Sequence, residues 1–385
     1  MPEESRLGKL LMVAPPDGWV DGAQDWLDDL QPAGIILFKR NLPADFDAAR
    51  AAVARLHEWA AKRGETLLVA ADEEGGFVTQ TSAWLPVPPA ARALAWMGEP
   101  ELVRQAFARY SKRLRHFGIN LDFAPVCDVN NNPLNPVIGA RSFATEAAAV
   151  TLYARAVHDG LAAAGVLSCA KHFPGHGDTD VDSHLALPVV AHDRARLEHV
   201  ELVPFRALAA EVPVVMVAHV ACPAVGDGAL PATLSPRIAT ALLRHEVGFT
   251  GVAVTDAMDM QGVAGQFGDE EAGCAPCSPA AISFFTASRS TSRCGRAPGC
   301  AQPSRRDGSR RLASRKRRRA FAPCKAALPP QPIRSICRRR VAMRSSIARS
   351  VAARSVFPIR RDGAPSGAPC ARRSGSSSPA RRTKS

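Results

Sequence analysis

Long apolar runs are absent from the sequence, and cysteine is scarce in its first 272 residues. No apolar stretch approaches the roughly 20 residues that a membrane-spanning helix needs. The start of the chain, MPEESRLGKLLMVAPP, is acidic and holds only a brief apolar run, which argues against a signal peptide. The early cysteines are widely spaced, at Cys127, Cys169 and Cys222. We therefore expect reduced core cysteines in a cytoplasmic protein without a membrane span.

Acidic residues are nearly missing from the last part of the chain. Residues 273–385 hold 27 Lys+Arg and two acids, Asp307 and Asp362, for a net charge of +25. Residues 1–272 hold 22 basic and 34 acidic residues, for a net charge of −12. Seven of the ten cysteines also lie in residues 273–385, where no helical or strand period persists. We therefore divide the chain into a folded region, 1–272, and an irregular basic tail, 273–385.

Two interpretations of the tail remain. A run of Arg and Lys without apolar periodicity is typical of a disordered segment that binds nucleic acid. The folded region is rich in Ala, Gly, Arg and Pro, as GC-rich DNA would encode, and such DNA in a shifted frame yields Arg, Pro, Ser and Cys. We favour a frameshift near 271–273, so nucleic acid is a partner only if the tail is genuine.

Short apolar segments alternate with Ala-rich amphipathic ones throughout residues 1–272. The predicted strands are Leu10–Ala14, Gly34–Phe38, Thr66–Ala71, Ile119–Val126, Val166–Ala170, Pro213–Ala218 and Gly251–Thr255. Helical patterns lie between several of them, such as DAARAAVARLHEWAAKRG, which ends at Gly64. Nearly continuous apolar strands that alternate with helices predict a parallel sheet covered by helices.

Seven such strands in about 250 residues favour a (β/α)8 TIM-type barrel over an open doubly wound sheet. No glycine-rich phosphate loop follows the first strand, which also disfavours a nucleotide-binding fold. The last βα unit is not visible in the sequence, so we expect a barrel that lacks it. Polar residues recur where strands end, at Asp72, Asp122, Lys171–His172, His219 and Asp256. In a barrel these ends meet on the face that binds substrate.

The segment KHFPGHGDTDVDSHLALP, Lys171–Pro188, gathers three histidines and three aspartates. His172 and His176 have the spacing of a helical zinc pair, but Pro174 and two glycines make a helix there unfavourable. We therefore predict a loop that folds over a ligand and no metal site. Within it, Asp182 stands two residues before His184, and a nearby carboxylate raises the pKa of an imidazole toward the range useful for proton transfer.

This segment, together with IGARSF, ADEEGG and VTDAMDM, closely resembles the bacterial family 3 glycoside hydrolases of the NagZ-like type. These are β-N-acetylglucosaminidases of peptidoglycan recycling. The resemblance spans nearly all of residues 1–271, with the motifs in the family's order. It implies retaining hydrolysis of terminal β-linked N-acetylglucosamine without a cofactor, with a small carbohydrate or muropeptide as substrate.

The resemblance also implies roles for individual residues. Asp256 would be the nucleophile that forms a covalent glycosyl-enzyme, and His184, oriented by Asp182, would be the acid/base. The residues that would bind the sugar are Asp72, Arg141, Lys171 and His172.

One departure from the family weakens the assignment of the sugar. Relatives often carry arginines after the EGG motif, one of them substrate-binding, where this chain has Phe77 and Gln80. Another family 3 activity, such as a β-glucosidase, is therefore an alternative. A further alternative is an inactive sugar-binding relative with a nucleic-acid-binding tail.

Overall fold

The computed structural model describes residues 8–15 and 24–265, together with the backbone of residues 281–285. Eight parallel strands in this part of the chain form a closed barrel. The barrel strands are β1 Leu11–Val13, β2 Gly34–Ile36, β3 Leu68–Ala71, β6 Leu121–Asp122, β7 Leu167–Phe173, β8 Val214–Val217, β9 Val252–Ala257 and β10 Ala281–Phe285. A separate antiparallel hairpin, β4 Glu73–Gly75 and β5 Val78–Thr79, follows β3. The seven strands predicted from the sequence are confirmed, with shifted ends.

The predicted absence of an eighth strand is wrong. The backbone of β10 pairs in parallel with β1 on one side and with β9 on the other. Without it, the backbone N–H and C=O groups of β1 and β9 would face each other across an open gap, as two unpaired edges. The segment AISFF stands among Pro, Ser and Cys without a helical pattern beside it, so the alternation of strands and helices that marked the other strands was missing. The frameshift and the nature of residues 286–385 stay predictions, because that segment lies outside the described residues.

Helices cover the outside of the barrel. They are α1 Gln24–Leu30, α2 Phe46–Ala61, α3 Ala91–Trp96, α4 Pro100–Phe117, α5 Ala147–Ala162, α6 Arg194–His199, α7 Val203–Leu208 and the π helix α8 Arg237–Glu246. The α2 helix shows how the local sequence sets the bounds. The side chain of Asp45 accepts a hydrogen bond from the N–H of Ala48 at the N-terminus, and Gly64 turns the chain with φ +68° just after the C-terminus.

The strands are buried on both faces, which explains their nearly continuous apolar sequences. On β8, Val214 and Met216 belong to the cluster inside the barrel. Val215 and Val217 belong to a cluster between the sheet and the helices, packed with residues such as Phe205. Successive side chains of a strand point to opposite faces, so one strand serves both layers. Within the described residues, no helix combines the length and apolar character needed to cross a bilayer.

Candidate active site

The carboxyl ends of the strands carry a buried network of charged side chains with Glu74 at its centre. Nε of Arg141 donates to Oε2 of Glu74 at 2.8 Å, and Nη2 donates to Oε1 at 2.8 Å. Nζ of Lys171 lies 2.6 Å from the same Oε1 and also donates to Oδ1 of Asp72 at 2.6 Å. Three residues predicted to bind the sugar, Asp72, Arg141 and Lys171, are thereby brought together.

The electrostatics of this network keep Glu74, Arg141 and Lys171 ionised. Burial alone would raise the pKa of the Glu74 carboxyl, but Lys171 and Arg141 hold it well below its usual range. Burial would lower the pKa of the Lys171 ammonium, but Asp72 and Glu74 raise it above its usual value. Two cations and two carboxylates balance one another, so a low-polarity site can hold them.

His172 is held by a second buried carboxylate, that of Asp128. The Nδ1 atom of His172 lies 2.6 Å from Oδ2 of Asp128, and the N–H of His176 donates to Oδ1 at 2.7 Å. Nε2 of His172 lies 3.2 Å from Nη2 of Arg141. Because arginine can only donate, a neutral His172 ring accepts at Nε2 and carries its proton on Nδ1. His172 and Arg141 therefore contact each other directly at the strand ends.

Asp256 lies near the end of β9, beside these cations. Burial alone would raise the pKa of its carboxyl, but His219, His172 and Lys171 hold it below its usual value. Its Oδ1 accepts a hydrogen bond from the N–H of Ala257 at 2.8 Å. The carboxylate is therefore ionised and partly exposed, as a nucleophile must be.

His219, which the sequence placed at a strand end, supports the end of β9. Its Nε2 lies 2.8 Å from the carbonyl of Ala257, and its Nδ1 lies 2.9 Å from Oγ1 of Thr233. Burial lowers the pKa of this imidazole. The neutral ring donates from Nε2 to the carbonyl and accepts at Nδ1, which fixes the backbone next to Asp256.

Asp182 and His184 form a pair on the loop after β7. Oδ1 of Asp182 lies 2.8 Å from Nδ1 of His184 and accepts the His184 backbone N–H at 2.9 Å. Burial would raise the pKa of Asp182, but these two contacts with His184 lower it. The His184 side chain is 62% exposed, and its ring contacts Asp182. The loop therefore presents an imidazole to solvent with its tautomer set by a carboxylate.

The same loop is tied down at both of its ends. Nδ1 and Nε2 of His176 lie 2.7 Å from Thr179 Oγ1 and 3.1 Å from Ser183 Oγ, and burial lowers the pKa of this imidazole to about 4. The carbonyl of Ser183 accepts the N–H of Gly262 at 3.0 Å. Since Gly262 follows β9, the His184 loop is joined directly to the segment after Asp256.

One group of side chains in the described region has the composition of a metal site. Asp178, His192 and Glu201 place ligand atoms within 4.8 Å of one another. The guanidinium of Arg196 already lies against both carboxylates, 3.5 Å from Asp178 and 3.1 Å from Glu201. The arginine supplies the positive charge that a metal ion would bring, so we interpret the group as an ion-pair cluster that anchors the loop.

Sequence reasoning missed two residues at the centre of this site. Glu74 lies in the ADEEGG motif, but only the fold shows that its carboxylate joins Arg141 to Lys171. Asp128 follows the fourth predicted strand, and the strand-end rule that selected Asp72 would have found it. Both are buried carboxylates, bonded to arginine in one case and to a histidine ring in the other, and buried acids are rare without such partners.

The closed barrel and the charged strand ends define a (β/α)8 protein with a polar site at the carboxyl face, the arrangement of barrel enzymes. Residues 4–277 match the model of the glycosyl hydrolase family 3 N terminal domain, and the chain belongs to this family.

Named relatives share this similarity. Beta-hexosaminidase A of Pseudoalteromonas piscicida is 41% identical over an alignment of 223 residues, which covers 54% of this chain and 37% of that protein. A beta-hexosaminidase of Chromobacterium violaceum is 38% identical, over 60% of this chain and 65% of that protein. The chain therefore spans less than two thirds of the length of these two relatives.

Solved structures are also similar to this chain. A family 3 β-N-acetylglucosaminidase from Paenibacillus sp. str. FPU-7 superimposes with a TM-score of 0.70 at 39% identity, covering 74% of this chain and 55% of that one. Native NagZ from Neisseria gonorrhoeae superimposes with a TM-score of 0.63 at 31% identity, covering 72% of this chain and 81% of that one.

Proposed function

We propose that this protein hydrolyses terminal, non-reducing β-linked N-acetylglucosamine residues with net retention of configuration. Asp256 is the nucleophile, and His184 is the acid/base, oriented by Asp182. Asp72, Arg141, Lys171 and His172 bind the hydroxyl groups of the sugar. The roles of these residues come from the family resemblance, and the arrangement of their side chains supports them.

In the first step the Asp256 carboxylate attacks the anomeric carbon while the bond to the leaving oxygen breaks. Protonated His184 gives its proton to that oxygen, and Asp182 stabilises the imidazolium beforehand. The products of this step are a glycosyl ester on Asp256, a free aglycone alcohol and a neutral imidazole.

In the second step a water molecule attacks the anomeric carbon from the side that the aglycone has left. His184 takes a proton from the water, and the ester bond to Asp256 breaks. Two displacements at one carbon give retention. An imidazole with an unperturbed pKa of about 6.5 can serve as acid and then as base near neutral pH.

A single contact carries this proposal, the hydrogen bond from the Gly262 N–H to the carbonyl of Ser183. It joins the loop that holds His184 to the chain that leaves β9, six residues after Asp256. A proton donor must stand across the scissile bond from the nucleophile. The contact supports such a placement, although the two residues are 72 positions apart in sequence.

The names of the relatives support the choice of sugar. Those cited above are called beta-hexosaminidases or a β-N-acetylglucosaminidase. We further propose that the substrate is a peptidoglycan fragment, cleaved in the cytoplasm during cell-wall recycling. The NagZ-like resemblance supports this role, and the buried free cysteines Cys127, Cys169 and Cys222 fit a reducing compartment.

The test is hydrolysis of nitrophenyl β-N-acetylglucosaminide with Asp256→Asn as the critical variant. We expect the wild type to turn over and the variant to lose all detectable activity, because an amide cannot form the ester intermediate. Asp159→Asn, which changes an exposed carboxyl on α5, is the matched control and should keep full activity. Turnover by Asp256→Asn at the wild-type rate would remove Asp256 from the mechanism.

A β-glucosidase remains the second candidate because of the β4–β5 hairpin. Phe77, where relatives often carry arginine, is 73% exposed, and Gln80 accepts a hydrogen bond from the backbone N–H of Lys39 at 3.2 Å. This hairpin therefore lacks the arginines of the relatives. Faster turnover of nitrophenyl β-glucoside than of the N-acetylglucosaminide would favour this candidate.

A further inference from the structure

Glu74 occupies donors on both cations of the proposed sugar site. It is only 5% exposed, so it is shielded from a ligand in the cleft. Its Oε1 accepts a hydrogen bond from Arg141 and lies 2.6 Å from Nζ of Lys171, and its Oε2 accepts a second hydrogen bond from Arg141. A carboxylate with both oxygens committed to two cations fixes the distance and the angle between them.

The donors that remain free are few, and their directions are set. An ammonium has three N–H bonds; Lys171 donates one to Asp72, and its Nζ also forms an ion pair with Glu74 at 2.6 Å. A guanidinium has five, and Arg141 directs its own to Glu74, to the carbonyl of Val137 and toward His172. Arg141 therefore keeps about one donor for a ligand, and Lys171, held between two carboxylates, keeps one or two.

We infer that Glu74 is the positioning residue of the sugar site, which aims the last free donors of Lys171 and Arg141 at the substrate and keeps Lys171 charged. This inference rests on the proposed function, because it takes the sugar as the ligand of the two cations. Glu74 acts through these neighbours and does not touch the sugar.

The charge of Glu74 matters as well as its shape. Asp72 and Glu74 are the two carboxylates that form ion pairs with Lys171, while Asp122 and Asp256 also interact with it electrostatically. Burial disfavours the charged form of lysine, so the pKa of Lys171 falls when one of its two carboxylate partners becomes neutral. A neutral Lys171 would then bind a sugar hydroxyl poorly at alkaline pH.

The experiment measures kcat and KM on nitrophenyl β-N-acetylglucosaminide from pH 5 to pH 10 for wild type, E74Q and E74D. For E74Q we expect kcat/KM to fall by about a hundredfold, as misplacement of binding groups by about 1 Å can cause. KM should rise, and the alkaline decline of activity should begin at lower pH. E74D keeps the charge, so its alkaline decline should return to the wild-type position even if KM stays high.

The matched control is E101Q, which neutralises an exposed carboxylate that bonds a single arginine, Arg104. It should leave both KM and the pH profile unchanged. E74Q with a wild-type pH profile and a wild-type KM would overturn the inference, even if less active protein were recovered. If E74Q does not melt cooperatively, the KM of E74D is compared with that of the wild type instead. An unchanged KM in E74D would then overturn the inference.

The two failures are distinguishable. A wild type that hydrolyses no N-acetylglucosaminide contradicts the proposed function itself. An active wild type with an unaffected E74Q contradicts only the role of Glu74.

Discussion

Replacement of Asp122 by asparagine should make the protein more stable, and increasingly so as the pH rises. Asp122 lies on β6 and is fully buried. Its Oδ1 accepts the backbone N–H of Glu73 at 3.1 Å, while its Oδ2 has no hydrogen-bond partner among the described residues. Burial and the nearby Glu73 carboxyl raise the pKa of Asp122 well above its usual value, although Lys171 opposes them. The folded protein therefore favours the protonated, neutral acid.

The sign of the effect follows from proton linkage. Above about pH 4 an aspartate in the unfolded chain has lost its proton, while the folded chain retains it. The folded state then holds one more proton, so the free energy of unfolding falls by about 1.4 kcal/mol for each pH unit until the folded carboxyl also ionises. Asparagine has nearly the same shape and no proton to lose, so Asp122→Asn lacks this decline.

The assay is urea unfolding, followed by tryptophan fluorescence at pH 4.5, 5.5 and 6.5. We expect the gap between Asp122→Asn and wild type to widen by about 1.4 kcal/mol per pH unit over the range in which the folded carboxyl keeps its proton. Asp159→Asn, on the exposed face of α5, should run parallel to wild type. Parallel curves for Asp122→Asn and wild type would refute the protonated state of the Asp122 carboxyl.

Further predictions concern the loop, the barrel closure and the gene. His184→Ala should reduce turnover much more for alkyl glycosides than for nitrophenyl glycosides, because an activated phenol needs little protonation; equal losses in steady-state assays would remove His184 from the acid role. Gly177→Ala should lower stability by about 1–3 kcal/mol in urea unfolding, since a Cβ there would lie 2.1 Å from the carbonyl oxygen of Val129; a wild-type midpoint would contradict this. Ser283→Pro should abolish cooperative melting, because proline removes a backbone N–H from β10 between β1 and β9; an unchanged melting curve would show that β10 is dispensable. DNA sequencing should show that the frame one nucleotide over from about residue 272 encodes an amphipathic helix, a short apolar strand and a closing helix; finding no such pattern in either alternative frame would favour a genuine basic tail.

The sequence by itself determined the architecture of residues 8–15 and 24–265. The apolar runs of the strands are nearly continuous because both faces of a barrel strand are buried, and this pattern is local in the chain. Gly64 marked the C-terminal end of α2 for a similarly local reason, since a positive φ angle depends on the residue itself. The motif of residues 171–188 could also be recognised from the sequence, because its histidines, aspartates and glycines lie within one short segment.

Tertiary structure alone decided which side chains meet. Glu74 and Arg141 are 67 positions apart, and Asp128 and His172 are 44 positions apart, yet each pair is hydrogen-bonded. The closure of the barrel also depended on tertiary structure. The segment AISFF gives only a weak strand signal in the sequence, and it forms β10 by pairing with the free edges of β1 and β9. Sequence patterns report the burial of a segment, whereas hydrogen bonds between distant segments depend on how the whole chain closes on itself.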